Sequence, residues 1–405
     1  MKQVNDAIDR YINADEVVEL CQNLIRIPSH SQHPGREKEV GDFIARFLRD
    51  NGMEVAVEPV EGERSNVTCV LRGTGGGRSL MFNGHLDTVP PYNMDIHPFA
   101  AEIRDGRIWG RGAVDMKGPI AAMLCAMLTL KRAGLQLAGD VYFCGVIGEE
   151  ERSEGTEHLV KTGFRTDGAI VGEPSNFEYA IGHRGLEWLE IEITGKAAHG
   201  GMPDKGVNAI VQAAKLIMRI QEKLVPKLRE RFNPVMGPSV MNFGVIRGGT
   251  QPSTVADRCI IQLDRRYISS EPISQVLGEY QEILDELSAE DPTFKAEMRR
   301  MPENILTLDH LAMETSPDDP IAVSVVNVLR YLLGREPTIT TRRGWTDASL
   351  LSNFAKIPCV VMGPGDIAFS HTRNENIRIE DLILGVRAYA LVAAEFCGVS
   401  RMGDE

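Results

Sequence analysis

The chain has 405 residues and a formal net charge of −13, a length beyond one ordinary core, so two domains are expected. With 43% hydrophobic, 25% charged and 6% aromatic residues, its composition is that of a soluble globular protein. The acidic balance argues against nucleic acid or an anionic membrane surface as partner, since both need clustered Lys and Arg, but a few local cations can still hold a small anionic substrate.

Seven scattered cysteines, odd in number and never in a C-x-x-C pair, imply neither a disulfide framework nor a Cys-type zinc site. Several, such as Cys144, sit in apolar runs and read as small core residues. The start lacks a signal-type apolar stretch and no run is long enough to span a bilayer, so the cytoplasm is the expected compartment.

In chain order, residues 14–25 carry apolar positions at helical spacing, and the helix stops before Ile27-Pro28-Ser29. His30 and His33 follow in a polar, Pro- and Gly-rich loop that gives them no rigid platform, so they are expected to be solvated. A second amphipathic helix over 36–51 ends at Gly52. Strands are predicted at 55–57 and 66–71, and the tract Gly73-Thr74-Gly75-Gly76-Gly77, with no Lys-Ser/Thr ending and no following helix, reads as a turn rather than a phosphate loop.

Leu80-Met81-Phe82 is a short uninterrupted apolar run, the mark of a buried parallel strand. It ends in Gly84-His85-Leu86-Asp87, which places His85 and Asp87 at the strand's carboxyl end, where open α/β sheets bind ligands. A histidine so close to a carboxylate suits a metal ligand with an orienting partner, or simply a strand-end histidine satisfied by a local aspartate. The tract Gly110-Arg111-Gly112-Ala113-Val114-Asp115-Met116-Lys117-Gly118-Pro119 comes next, its glycines allowing a close backbone approach. Pro119 fits the first turn of a helix reaching about residue 133. Asp115 just before that helix reads as a cap or as a site carboxylate.

A strand over 141–147 runs into Gly148-Glu149-Glu150-Glu151, three carboxylates that repel one another unless something cationic collects them. A solvated acidic loop is the alternative, but it leaves their place at the end of an apolar strand unexplained. A further strand, 169–171, ends in Gly172-Glu173-Pro174. Strand ends thus deliver His, paired Glu and Glu, with Asp115 on a loop between them, a set suited to two divalent ions.

From about Gly182 the pattern changes to β-α-β-β-α-β: strands at 186–194, 240–245, 259–266 and 294–298, with helices over 208–228 and 272–289. It is read as an α+β domain over 182–300, ferredoxin-like in order and inserted into a catalytic domain of 1–181 and 301–405. The α/β pattern then resumes with a helix over 320–333, a strand over 357–362, His371 on the loop after it, and a last helix over 379–397. The fold class expected is α/β, a mostly parallel central sheet flanked by helices, with the inserted domain as lid and dimerisation domain.

Taken together, Gly84-His85-Leu86-Asp87, the Asp115 tract, Glu149-Glu150, Gly172-Glu173-Pro174 and His371 with Asn374-Glu375 resemble the dinuclear zinc amide hydrolases that include acetylornithine deacetylase, succinyl-diaminopimelate desuccinylase, aminoacylase and glutamate carboxypeptidase. The resemblance covers nearly the whole chain. It implies two Zn2+, replaceable by Co2+ or Mn2+, bridged by Asp115, with His85 and Glu173 completing one ion and Glu150 and His371 the other. Asp87 would orient His85, and Glu149 would be the general base; Gly155-Thr156 downstream favours that register over one shifted by a residue. Ala198-His199-Gly200-Gly201-Met202-Pro203 resembles the family's lid motif, whose histidine reaches a partner subunit's site in a homodimer; a turn residue is the alternative. Arg266, in an Asp-x-Arg ending, would clamp a substrate carboxylate, or else pair with Asp264. Gly344-Trp345-Thr346-Asp347 resembles the family's substrate loop, giving Thr346 a substrate contact, while the bulk of Trp345 argues against succinyl-diaminopimelate. The implied function is a metal-dependent amidohydrolase that removes an acyl group from a small N-acyl amino acid through a metal-bridging water. A metallo-carboxypeptidase or dipeptidase of the same family is the alternative.

Overall fold

Six strands form the main sheet, in the spatial order Glu54–Glu61, Arg64–Leu71, Val141–Val146, Leu80–His85, Gly168–Val171 and Cys359–Val361, in a computed structural model that describes residues 1–401. The last four run parallel; the first two are antiparallel additions at one edge. This is the mostly parallel α/β sheet expected. The edge strand is longer than the sequence pattern indicated, because it carries Glu54, Glu58 and Glu61 and a register shift after Pro59. Charge and proline are tolerated where one side of a strand has no partner, and there they blur the apolar signal.

The chain divides into two compact units, one comprising Met1–Gly182, Glu314–Thr340 and Thr346–Glu405, the other His183–Met313 and Thr341–Trp345. In the first, helix Lys38–Asp50 stops where Gly52 takes φ +68. Gly52 N then donates to Arg49 O at 2.8 Å and Met53 N to Leu48 O at 3.0 Å, satisfying carbonyls that the helix leaves open. Helix Lys117–Arg132 is buried on every side from Lys117 to Leu130. It packs between the sheet and the helices Ala14–Arg26 and Ile379–Cys397, which explains why its sequence is apolar all round rather than striped.

The second unit is a four-stranded antiparallel sheet in the order Val240–Gly248, Arg258–Tyr267, Gly185–Thr194, Lys295–Arg300. Leu189, Ile191 and Ile193 point into a core shared with Ala213, Leu216 and Ile220 of helix Ala209–Lys223 and Tyr280 and Leu284 of helix Ile273–Glu290. The intervening Glu190 and Glu192 pair with Arg299 and Arg258 on the other face. The period of two thus separates a dry face from a charged one. The long helix expected over 208–228 is two, Ala209–Lys223 and Val225–Glu230, because Pro226 has no N–H to continue the ladder.

The helices Lys2–Asp9, Glu154–Thr162 and Ala348–Asn353 were not evident in the sequence; the first buries only Ile8 and so shows no apolar stripe. All seven cysteines are buried free thiols, as their apolar settings indicated. No described helix is long and apolar enough to cross a membrane.

The packing of helix Lys117–Arg132 gives a stability contrast. Leu124 is fully buried, whereas Val323 on helix Pro320–Leu333 is 42% exposed. Leu124→Ala should destabilise the protein by about 3 kcal/mol and Val323→Ala by less than ~0.5 kcal/mol, read from urea unfolding followed by far-UV circular dichroism. Equal effects would mean that this helix is not a core element.

Candidate metal centre

Three neighbouring parallel strands end at the same edge of the main sheet and release their functional residues there. Leu80–His85 ends in His85, Gly168–Val171 runs into Glu173, and Val141–Val146 runs into the loop of Glu149 and Glu150. Strand spacing of about 4.8 Å brings such ends within reach of one small ion. His85, Asp115 and Glu173 have ligand atoms within 4.8 Å of one another, and so do Asp115, Glu150 and His371. Asp115 belongs to both sets: its Oδ1 lies 3.1 Å from His85 Nε2 and its Oδ2 3.3 Å from His371 Nε2. Two imidazoles and three carboxylates form a nitrogen-and-oxygen donor set that suits divalent transition ions. The residues present therefore fit two ions on either side of Asp115. Glu149 lies outside both sets.

The first set is deeply buried, with His85 and Glu173 each 2% exposed, while the side chain of His371 is 52% exposed. The centre thus opens to solvent on the His371 side.

Asp87 does more than orient its neighbour. The His85 Nδ1 donates to the backbone carbonyl of Asp87 at 3.0 Å, which leaves Nε2 as the nitrogen facing the centre. The Asp87 carboxylate, 3.5 Å from the same Nδ1, accepts instead from the backbone N–H groups of Gly148, Glu149 and Glu150 at 3.1, 3.2 and 3.0 Å. It ties the histidine strand to the acidic loop. Gly148 starts that loop at φ +78, and a Cβ there would lie 1.8 Å from Glu154 Oε2, so only glycine fits. The three consecutive carboxylates go separate ways: Glu150 to His371 Nε2 at 3.0 Å, Glu151 to Arg36 at 2.7 Å, and Glu149 toward the centre, where it feels Glu173 and His85.

Asp115 is engaged by the two histidines rather than by the helix that follows it. Its peptide bond to Met116 is cis. Behind it, the buried Glu375 accepts from the backbone N–H of Val114 and of Asp115, both at 3.1 Å, and pairs with the buried Arg111. Glu375 and Arg111 belong to motifs visible in the sequence, but their pairing joins residues 264 apart, which nothing local announces.

The electrostatics follow from this crowding. Burial, and then the charge of Glu173, push the Glu149 carboxyl well above its usual range. Burial works against the charge on Asp115, yet hydrogen bonds from His371 and His85 hold it well below. Hydrogen bonds to Asp115 and Glu150 raise His371 to about 10. Burial pushes Glu375 up to about 7 against the pull of Arg111.

The remaining sequence-predicted residues have partners of their own. His199 is exposed on a loop of the second unit, where its Nδ1 accepts from Gly201 N at 3.1 Å. Arg266, also in that unit, holds Asp264 through Nε at 2.8 Å and a second nitrogen at 3.0 Å. Thr346 is fully buried and its hydroxyl accepts from Ala348 N at 3.3 Å; beside it, Asp347 accepts from Thr156 at 2.8 Å. Trp345 stacks on His310 with ring centres 4.0 Å apart. Contrary to expectation, His30 is not solvated: it is 8% exposed and stacks on Phe99. An apolar neighbour distant in sequence covers a loop that reads as polar.

Comparison with known proteins gives the family. Residues 81–395 match Peptidase family M20/M25/M40. The chain is 29% identical over 410 residues to the N-formyl-4-amino-5-aminomethyl-2-methylpyrimidine deformylase of Halalkalibacterium halodurans, covering 95% of each. It is 31% identical over 357 residues to the acetylornithine deacetylase of Myxococcus xanthus, covering 87% of each. Its fold resembles the crystal structure of an aminopeptidase from Bacillus cereus, with a TM-score of 0.78 at 24% identity over 96% of this chain and all of that one. The chain belongs to Peptidase family M20/M25/M40 and is a metal-dependent hydrolase of amide bonds.

The buried support behind Asp115 is open to test. Glu375→Ala strands Arg111 and two backbone N–H groups, and should cost about 3–5 kcal/mol in unfolding free energy and about 10–100-fold in Co2+ affinity measured by calorimetry. Unchanged affinity would mean that Glu375 does not position Asp115.

Proposed function

We propose that the chain is a two-zinc deacylase that removes a short acyl group from the nitrogen of an N-acyl amino acid. The observation carrying this reading is the pair of donor sets sharing Asp115, with Glu149 beside them and in neither. Relatives that cover most of the chain include ones named for removing a formyl, an acetyl or a succinyl group, which supports a deacylase over a carboxypeptidase or dipeptidase.

In this reading His85, Asp115 and Glu173 hold one ion, and Asp115, Glu150 and His371 the other. Bound there, two divalent cations, zinc with cobalt or manganese able to replace it, supply a polarised carbonyl and a more acidic water. Glu149 takes the proton of the attacking water and delivers it to the leaving nitrogen, which must be protonated to depart. A buried carboxylate is a better base there than a solvated one, because water does not stabilise its charge. Asp87 keeps the His85 strand and the Glu149 loop in fixed relation. His199 stabilises charge on the carbonyl oxygen, Arg266 receives a substrate carboxylate in exchange for Asp264, and Thr346 sets the substrate loop through its hydrogen bond to Ala348.

The His183–Met313 unit is proposed as lid and dimerisation domain of a homodimer. Its strand Val240–Gly248 ends the sheet and exposes Ile246, and helix Ala209–Lys223, whose Ile210 lies against Gly248, exposes Ile210, Val211 and Met218. A free edge beside an apolar patch is a surface that association covers. The seven buried thiols fit a reducing, cytoplasmic setting.

A panel of N-formyl, N-acetyl and N-succinyl amino acids assayed beside dipeptides, with added zinc, cobalt or manganese, tests the substrate class. N-acyl amino acids should be turned over well ahead of dipeptides, and preference for dipeptides would replace the deacylase reading by the peptidase one. Glu149→Gln should lower kcat by about 1,000-fold while two ions per chain are retained, as read by metal analysis; loss of an ion would make Glu149 a ligand. If His199 acts across a dimer, mixing inactive Glu149→Gln with inactive His199→Ala should restore about a quarter of wild-type activity after random exchange. No recovery after demonstrated exchange would place His199 in its own subunit's service or outside the reaction.

A further inference from the structure

The pairing of strands Arg64–Leu71 and Val141–Val146 stops at Val67 and Gly145, and a side chain carries it further. Asn66, fully buried, accepts from Ile147 N through Oδ1 at 3.2 Å and donates from Nδ2 to Gly155 O at 2.8 Å. Gly155 N in turn donates to Ile147 O at 2.9 Å. These three hydrogen bonds close the base of an excursion over residues 148–154, the loop that carries Glu149 and Glu150. No room is left at the closure: a Cβ on Gly155 would lie 2.3 Å from Ile147 N and 2.5 Å from Asn66 Oδ1.

We propose that Asn66 is a positioning residue that sets Glu149 and Glu150 by clasping the two ends of their loop. The inference rests on the roles given to those two glutamates above. An amide suits the task because it must donate to one backbone group and accept from another at once; neither a carboxylate nor a hydrocarbon does both. The far end of the loop has its own anchor. Arg64 donates to Glu154 at 3.2 Å and grips Glu37 at 2.7 and 2.8 Å, so loss of the clasp loosens the loop without freeing it. The consequence is selective. His85, Asp115 and Glu173 stand on other segments, and the loop reaches them indirectly, through Asp87 and the shared Asp115, so the first ion should sense Asn66 much less than the second ion, through Glu150, and the proton transfer, through Glu149.

The test uses the full chain, stripped of metal and titrated with Co2+ by calorimetry, with activity followed on whichever N-acyl amino acid of the panel is turned over fastest. For Asn66→Ala, affinity for the second equivalent should fall about 10–100-fold and kcat by a similar factor, with the first equivalent and KM within about threefold. Asn66→Asp keeps the acceptor but sets an oxygen against the Gly155 carbonyl, and should behave like Asn66→Ala. Gly155→Ala, which opens the same closure from the opposite side, should match both. Equal weakening of both equivalents, or a lowered melting temperature with both equivalents intact, overturns the proposal. Coupling is reciprocal, so in the wild-type protein hydrogen exchange over residues 147–155 should slow when the second equivalent binds, and unchanged exchange overturns the proposal even if every variant misfolds. A wild-type chain that takes up only one equivalent would instead refute the two-ion reading, and this inference with it.

Discussion

Four carboxylates, those of Asp115, Glu149, Glu150 and Glu173, are held close together at one sheet edge, three of them in contact with a histidine. Like charges about 4 Å apart repel by roughly 4 kcal/mol per pair near a protein surface, and by more inside. Such a group is tolerated where positive charge balances it or where some of the carboxyls stay protonated. In the protein alone two imidazoles serve, and hydrogen bonds to Asp115 and Glu150 keep His371 protonated up to about pH 10. Two divalent cations would balance the charge more fully and would let both imidazoles act as neutral ligands.

The surrounding architecture can be understood as resistance to that repulsion. Parallel strands buried on both faces fix the spacing of His85, Glu173 and the acidic loop. Three buried polar groups engaged with backbone then secure the acidic loop and the Asp115 tract. Asp87 takes three N–H groups of the acidic loop, Glu375 takes two from the Asp115 tract, and Asn66 closes the loop's base. Backbone anchors of this kind hold position without adding a competing side chain to the centre.

Much of this was legible in the sequence, and the reason is local. A buried parallel strand is a short apolar run, and the residues just past it are read directly, so His85, the run Glu149-Glu150-Glu151 and Glu173 stand out with no knowledge of the fold, whereas the register within that run followed from the family resemblance. Gly52 and Pro119 mark helix ends through their backbone chemistry alone. The supports were not legible. Asn66 lies inside a strand, and its partners are 81 and 89 residues away; Arg111 and Glu375 meet across 264. A polar residue with a distant partner looks like any other until the sheet is assembled. His30 was misjudged for the same reason, since Phe99 covers it from another segment. The helix expected over 208–228 could have been divided from sequence alone, because Pro226 was in view.

Asp115 stands between the two donor sets, where two ions would share it. A crystal grown with zinc and measured at its absorption edge tests that sharing most directly. The account predicts two anomalous peaks about 3.5–4 Å apart, one contacting His85 and Glu173, the other Glu150 and His371, with one Asp115 oxygen on each and Glu149 on neither. A single peak, or a second ion held by Glu149 in place of Glu150, would contradict it.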